Sequence, residues 1–116
     1  MLDYIRELLE SEFDVVGAVG DGKSLISAAD TFQPDVIVTD ISMPRMNGIE
    51  AARLIIQKNP TSRIVLLTAY KDSALLEQGL SVGALGYVLK LKAEEELSLA
   101  IHSALEDKRF VSPGVS

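Results

Sequence analysis

Residues 35–40 read DVIVTD and residues 41–53 read ISMPRMNGIEAAR, and the passage from one to the other sets the fold. The first piece is a short aliphatic and β-branched run between Pro34 and Asp40, strand-sized and bounded by turn residues. In the second, Met43-Pro44 and Asn47-Gly48 signal a turn, and Ile49, Ala52 and Ile56 then recur at helical spacing. A glycine at 48 suits a crowded backbone position, and a structural role accounts for it. Working outward, DVVGAV (14–19), RIVLLT (63–68) and GYVLK (86–90) repeat the strand pattern. Helical stripes lie around them: Leu2, Ile5, Leu8 and Leu9; Leu25, Ala28, Ala29 and Phe32; a weaker one over residues 75–82; and Leu97, Ala100, Ile101, Ala104 and Leu105. The expected order is αβαβαβαβα, each helix laying one face on the sheet. Strands joined through single helices run parallel, and right-handed crossovers then cover both faces of one open sheet. The fold class is α/β, doubly wound.

Composition narrows the function. The 116 residues are 47% apolar, enough for a single core and one domain. A net charge of −6, with 11 scattered Lys and Arg, argues against a nucleic-acid surface on this chain. The absence of cysteine removes disulfides, thiolate metal sites and cysteine nucleophiles, and is compatible with the cytoplasm. The opening MLDYIRELLE (1–10) is acidic and amphipathic, so neither a signal peptide nor a membrane span is expected.

In a doubly wound sheet the site forms where strands end at their carboxyl edge. Asp40, Thr68 and Lys90 each close a strand run. Singly, each has an ordinary explanation: a turn-forming Asp, a strand Thr, a Lys reaching solvent. Together they put a carboxylate, a hydroxyl and an ammonium on one edge. A carboxylate can attack phosphorus to form an acyl phosphate if cations and hydrogen-bond donors neutralise the phosphoryl oxygens. Asp40 would be the nucleophile, Lys90 a point charge on one oxygen and Thr68 a donor to another, with a divalent cation expected on the third. Mg²⁺ usually takes one or two carboxylates plus waters and phosphate oxygens, and a single Asp with a backbone carbonyl makes a weak site.

These residues resemble a known family. VIVTDISMPRMNGIEAAR (36–53) is similar to the phosphoacceptor segment of response-regulator receiver domains, in which the Asp is followed by a methionine-proline turn and an Asn-Gly opening the next helix. LLTAY (66–70) resembles the strand carrying the family's switch Thr, and GALGYVLK (83–90) the strand with its switch aromatic and Lys. The resemblance implies a flavodoxin-like (CheY-like) sheet with Asp40 as phosphoacceptor, Thr68 as switch hydroxyl, Tyr87 as aromatic rotor and Lys90 as the phosphate-pairing cation. It further implies that Ser42 offers its backbone carbonyl to Mg²⁺ beside Asp40, that a sensor histidine kinase is the donor, and that the output is a homodimer controlling transcription from the cytoplasm. A receiver catalyses only its own phosphorylation and dephosphorylation, so no separate enzyme activity is expected.

The pattern departs from the family in two places. Receivers open with an apolar strand ending in two adjacent acidic residues, whereas residue 1 here already falls in the following helix, and Asp3 lies inside that helix. The strand order 2-1-3-4-5 implied by the family makes the lost strand an interior one. Its loss removes about five buried apolar side chains, on the order of 10 kcal/mol. A truncation explains this most simply, and a pseudo-receiver that dimerises without phosphate is the alternative. The second departure is Leu91, where many receivers have a cis proline; a trans bond is expected. EDKRFVSPGVS (106–116) resembles the exit toward a LuxR-type helix-turn-helix domain that is not present here, so DNA would be met only through that domain. The expected layout is a truncated receiver over 1–108 and the start of a linker over 109–116, a frayed tail being the plain structural reading. Met43 and Met46 suit partner contact or loop packing, Glu94 to Glu96 suit a helix start, and His102 a solvated face. An aspartate-nucleophile phosphatase would need a second Asp at position 42, which is Ser42.

Overall fold

The structure, a computed structural model, describes residues 2–42, 46–69 and 71–113. Met43, Pro44 and Tyr70, singled out above, fall outside the described residues. In chain order the elements are α1 (Leu2–Glu10), α2 (Gly22–Phe32), β1 (Ile37–Asp40), α3 (Gly48–Lys58), β2 (Ile64–Thr68), α4 (Ser73–Ser81), β3 (Gly86–Leu89), α5 (Ala93–Leu105) and β4 (Phe110–Val111). The helices start where side chains satisfy their free amides. Asp21 accepts from the Ser24 amide, Asn47 from that of Glu50, and Asp72 from those of Ala74 and Leu75. Glu94, Glu95 and Glu96 occupy the first turn of α5, where the helix dipole favours negative charge.

The four strands are parallel and lie in the order β1-β2-β3-β4. The side chains of β2 alternate between two cores. Ile64 and Leu66 join Ile49, Ala52 and Ile55 of α3, Leu76 of α4 and Tyr87 on one face. Val65 and Leu67 join Ile5 of α1 and Leu97, Ala100, Ile101 and Ala104 of α5 on the other. Helices therefore cover both faces, giving the α/β arrangement expected.

The expected strand over residues 14–19 does not form. No backbone hydrogen bond joins residues 14–20 to another described residue, and Val16 is half exposed. Its aliphatic pattern is that of a strand, but a strand also needs a neighbour to satisfy its amides. Among the described residues β1 is the edge strand of the sheet, with no further strand on its outer side. Between these two backbones lies a cavity of about 710 Å³, lined by residues 14–20, by β1 and by Leu9, Leu25, Ala29 and Leu105 among others. The inward stripe expected on α2 is thus only partly covered: Leu25, Ala28 and Ala29 are half-buried and Phe32 is exposed.

The carboxyl-terminal end differs too. Phe110 and Val111, assigned above to a linker or frayed tail, pair with Gly86 and Tyr87 as a fourth strand, and Ser112 is completely buried. The packed fold thus continues past residue 108. A left-handed turn at Asp107 (φ 58°), held by an Arg63–Asp107 ion pair at 3.0 Å, aims the chain back along β3.

Candidate functional site

Parallel pairing brings Asp40 level with Leu67 and Thr68 level with Leu89, so the ends of β1, β2 and β3 meet at one edge. There the Lys90 Nζ lies 3.2 Å from Asp40 Oδ2. Both side chains are about a quarter exposed or less, at 27% for Asp40 and 19% for Lys90. Such a partly solvated pair contributes about 1 kcal/mol or less to stability, while it leaves the carboxylate reachable. Thr68 is buried at 3% exposure. Asp40 and Lys90 thus meet, and Thr68 ends the strand that lies between theirs. Among the described residues no cis peptide occurs, so the Lys90–Leu91 bond is trans, as expected.

The described residues on either side of residues 43–45 are tied together. The Ile41 amide donates to Leu67 O at 2.9 Å, and the Gly48 amide donates to Ile41 O at 2.7 Å, closing the turn over the strand end. A Cβ at residue 48 would stand 2.0 Å from the Asp40 carbonyl oxygen, so the close approach requires glycine. Gly22 plays a matching part at the start of α2, where a Cβ would come 2.5 Å from Met46 O. Ser42 sits exposed just beyond Asp40.

Tyr87 is fully buried, its ring near Gly79 of α4, where the lack of a side chain lets the helix close on Leu66 beside it. Its hydroxyl makes no well-formed hydrogen bond. Burial raises the Tyr87 pKa above its ordinary value and the nearby Asp72 charge adds to this, while Thr68, close to the hydroxyl, pulls the other way. The aromatic thus points inward, beside Thr68.

Among the described residues no three His, Cys, Asp or Glu side chains gather as a metal site. Asp40 offers one carboxylate, and Lys90 already faces one of its oxygens. The residues present therefore do not fit Mg²⁺ by themselves.

Two features had no signal in the local sequence. His102, expected on a solvated face, is exposed but bonds Glu12 at 2.7 Å and stacks near Phe13 at 5.3 Å. The hydrogen bonds from His102 and Ser98 hold the Glu12 carboxyl below the usual range. Ser112 bonds both Leu89 and Glu96.

The response regulator receiver domain profile matches residues 1–102. The transcriptional regulatory protein YxjL of Bacillus subtilis is 41% identical over 95 residues, covering 82% of this chain and 44% of that protein. DegU of Brevibacillus brevis is 33% identical over 108 residues, covering 93% and 46%. A LuxR-family two-component response regulator from Aurantimonas sp. SI85-9A1 superposes with a TM-score of 0.93 at 32% identity, over 97% of this chain and 82% of that one. The isolated receiver domain of RcsB from Salmonella enterica serovar Typhimurium, solved with the phosphomimetic BeF3-, gives 0.87 at 31%, over 98% and 86%. The chain spans about half the length of the curated relatives it matches. By sequence and by fold, it belongs to the response regulator receiver domain family.

Proposed function

We propose that Asp40 accepts a phosphoryl group from a sensor histidine kinase and that the domain thereby acts as a switch. The observation that carries this reading is the Asp40 carboxylate at the open end of β1 with the Lys90 ammonium 3.2 Å away. An Asp40 oxygen attacks phosphorus as the phosphorus–nitrogen bond to the donor histidine breaks, leaving an aspartyl phosphate and a neutral imidazole once a proton returns. Lys90 then faces the phosphoryl oxygens, and the Thr68 hydroxyl, ending the adjacent strand, donates to one of them. Tyr87, packed inward beside Thr68, would link that hydroxyl to the surface of α4, β3 and α5.

The slot between residues 14–20 and β1 supports a further parallel strand in the working domain, with an acidic pair at its carboxyl end to complete a Mg²⁺ site with Asp40 and the Ser42 carbonyl. The receiver then includes the packed residues through Ser112, with any linker beginning after them. Output as a homodimer that controls transcription is inferred from the relatives, which include transcriptional regulatory proteins and RcsB dimers bound to DNA. DNA would be contacted through a helix-turn-helix domain outside this chain. A cytoplasmic setting fits this role, and no described helix is long and apolar enough to cross a membrane.

A second reading, a module that dimerises without phosphate, is favoured because among the described residues no cluster of His, Cys, Asp or Glu that could hold a metal forms around Asp40. Intact mass after incubation with Mg²⁺ and acetyl phosphate separates the two, using this chain and a version extended by a receiver-like strand. Gain of one phosphoryl group by the folded extended chain, lost in Asp40→Ala, is the expected result. A folded extended chain that stays unmodified would leave the dimerisation module.

A further inference from the structure

We propose that Ser112 is a positioning residue for Lys90, and that it couples the chain leaving the domain to the state of Asp40, an inference that rests on the phosphoacceptor reading. The parallel pairing of β3 with β4 ends at Tyr87, three residues before Lys90: Tyr87 faces Val111, and the Ser112 amide donates to Tyr87 O at 2.9 Å. The next free amide on this edge of β3 is that of Leu89, the residue before Lys90. It donates not to a backbone carbonyl but to the Ser112 Oγ, at 2.9 Å. The same hydroxyl donates its proton to Glu96 Oε1 at 2.5 Å. One fully buried serine thus bridges the last peptide of β3 to the first turn of α5, the two elements that flank Lys90.

The chemistry suits a hydroxyl. It accepts from the Leu89 amide and donates to a carboxylate at once, and the charged acceptor strengthens the bond. An alanine would leave the Leu89 amide buried with no partner, and the peptide that aims Lys90 would be free to turn. The coupling also runs outward. Phe110 packs into the core under α5 and Val111 into the core around Tyr87, so the exit strand touches both faces of the sheet before Ser112 reaches the site. A phosphoryl group that draws Lys90 toward it would therefore be felt at Ser112, and through it by whatever follows residue 113.

The test compares Ser112→Ala, Ser112→Thr and Glu96→Ala in the strand-extended chain, with circular dichroism confirming that each is folded. Glu96 is only half-buried on a helix start, so its truncation gives a folded variant should Ser112→Ala not fold. The readouts are phosphorylation rate against acetyl phosphate concentration and exchange of the Leu89 amide. Expected are a fall of about tenfold in the saturating rate for Ser112→Ala with little change in the half-saturating concentration, faster Leu89 exchange, recovery by Ser112→Thr and an intermediate loss for Glu96→Ala. Beryllofluoride should slow Leu89 exchange in the parent and not in Ser112→Ala. A parent that is phosphorylated and a folded Ser112→Ala that matches it at every donor concentration would overturn the positioning role alone. A folded parent that is never phosphorylated would overturn the phosphoacceptor reading and this inference together.

Discussion

Replacing Gly48 by alanine would set a methyl carbon 2.0 Å from the Asp40 carbonyl oxygen and 3.1 Å from the Ile41 Cα. Both neighbours are backbone, so no side chain can swing aside; the start of α3 has to retreat by more than 1 Å to reach an ordinary contact of about 3.4 Å. That retreat stretches the Gly48–Ile41 hydrogen bond, now 2.7 Å, which contributes about 1 kcal/mol. Overpacking against the strand end adds roughly 1 to 3 kcal/mol. Alanine returns something under about 1 kcal/mol as the better helix former. The net expectation is a loss of about 2 kcal/mol in urea unfolding, together with slower labelling of Asp40, because the carbonyl being pushed belongs to the nucleophile itself. Gly20→Ala is the control: nothing lies within 4 Å of the added carbon, and a change under about 0.5 kcal/mol is expected. If Gly48→Ala unfolds at the same urea concentration as Gly20→Ala and labels at the parent rate, the account of the loop is wrong.

Three further outcomes are expected. Tyr87→Phe should cost little at neutral pH, since the buried hydroxyl makes no well-formed hydrogen bond. Its folded pKa is raised above the ordinary 10.0, so the stability that it supports is present below pH 10 and lost as pH rises through the folded value; the variant's urea midpoint should fall less steeply above pH 10 than the parent's, and parallel curves would refute this. Glu12, with its pKa lowered by His102 and Ser98, contributes stability present above the usual Glu range and lost as pH falls through its lowered value; carbon-detected NMR titration should show that low pKa moving back up in His102→Ala. Adding a receiver-like apolar strand before residue 1 should fill the slot and raise unfolding stability by up to about 10 kcal/mol, and residues 14–19 should then gain amide protection from exchange, whereas an unprotected segment would mean that the strand does not insert.

Three strands and the residues at their ends could be read from the sequence. The aliphatic runs ending at Asp40, Thr68 and Lys90 are separated by helices, and that order alone forces parallel strands whose carboxyl ends share an edge. The helix starts at Asp21, Asn47 and Asp72 are written locally as well, because a cap needs only its own next few amides. The same local logic gives the wrong answer for residues 14–19, whose pattern suits a strand but whose amides meet no backbone partner among the described residues. A strand exists only in a pair, and the pair is a tertiary fact.

Tertiary structure likewise decided what no period or spacing encodes. Phe110 and Val111 are too short a run to show alternation, and they become a strand because the turn at Asp107 brings them beside β3. The Glu12–His102 contact joins positions 90 residues apart, and the Ser112 hydroxyl finds Leu89 across 23. Composition and pattern thus specified the three strands ending at the site and the chemistry available there; the 3.2 Å between Asp40 and Lys90, the inward Tyr87 and the buried Ser112 came from packing, because distances between remote residues are set by the whole core at once.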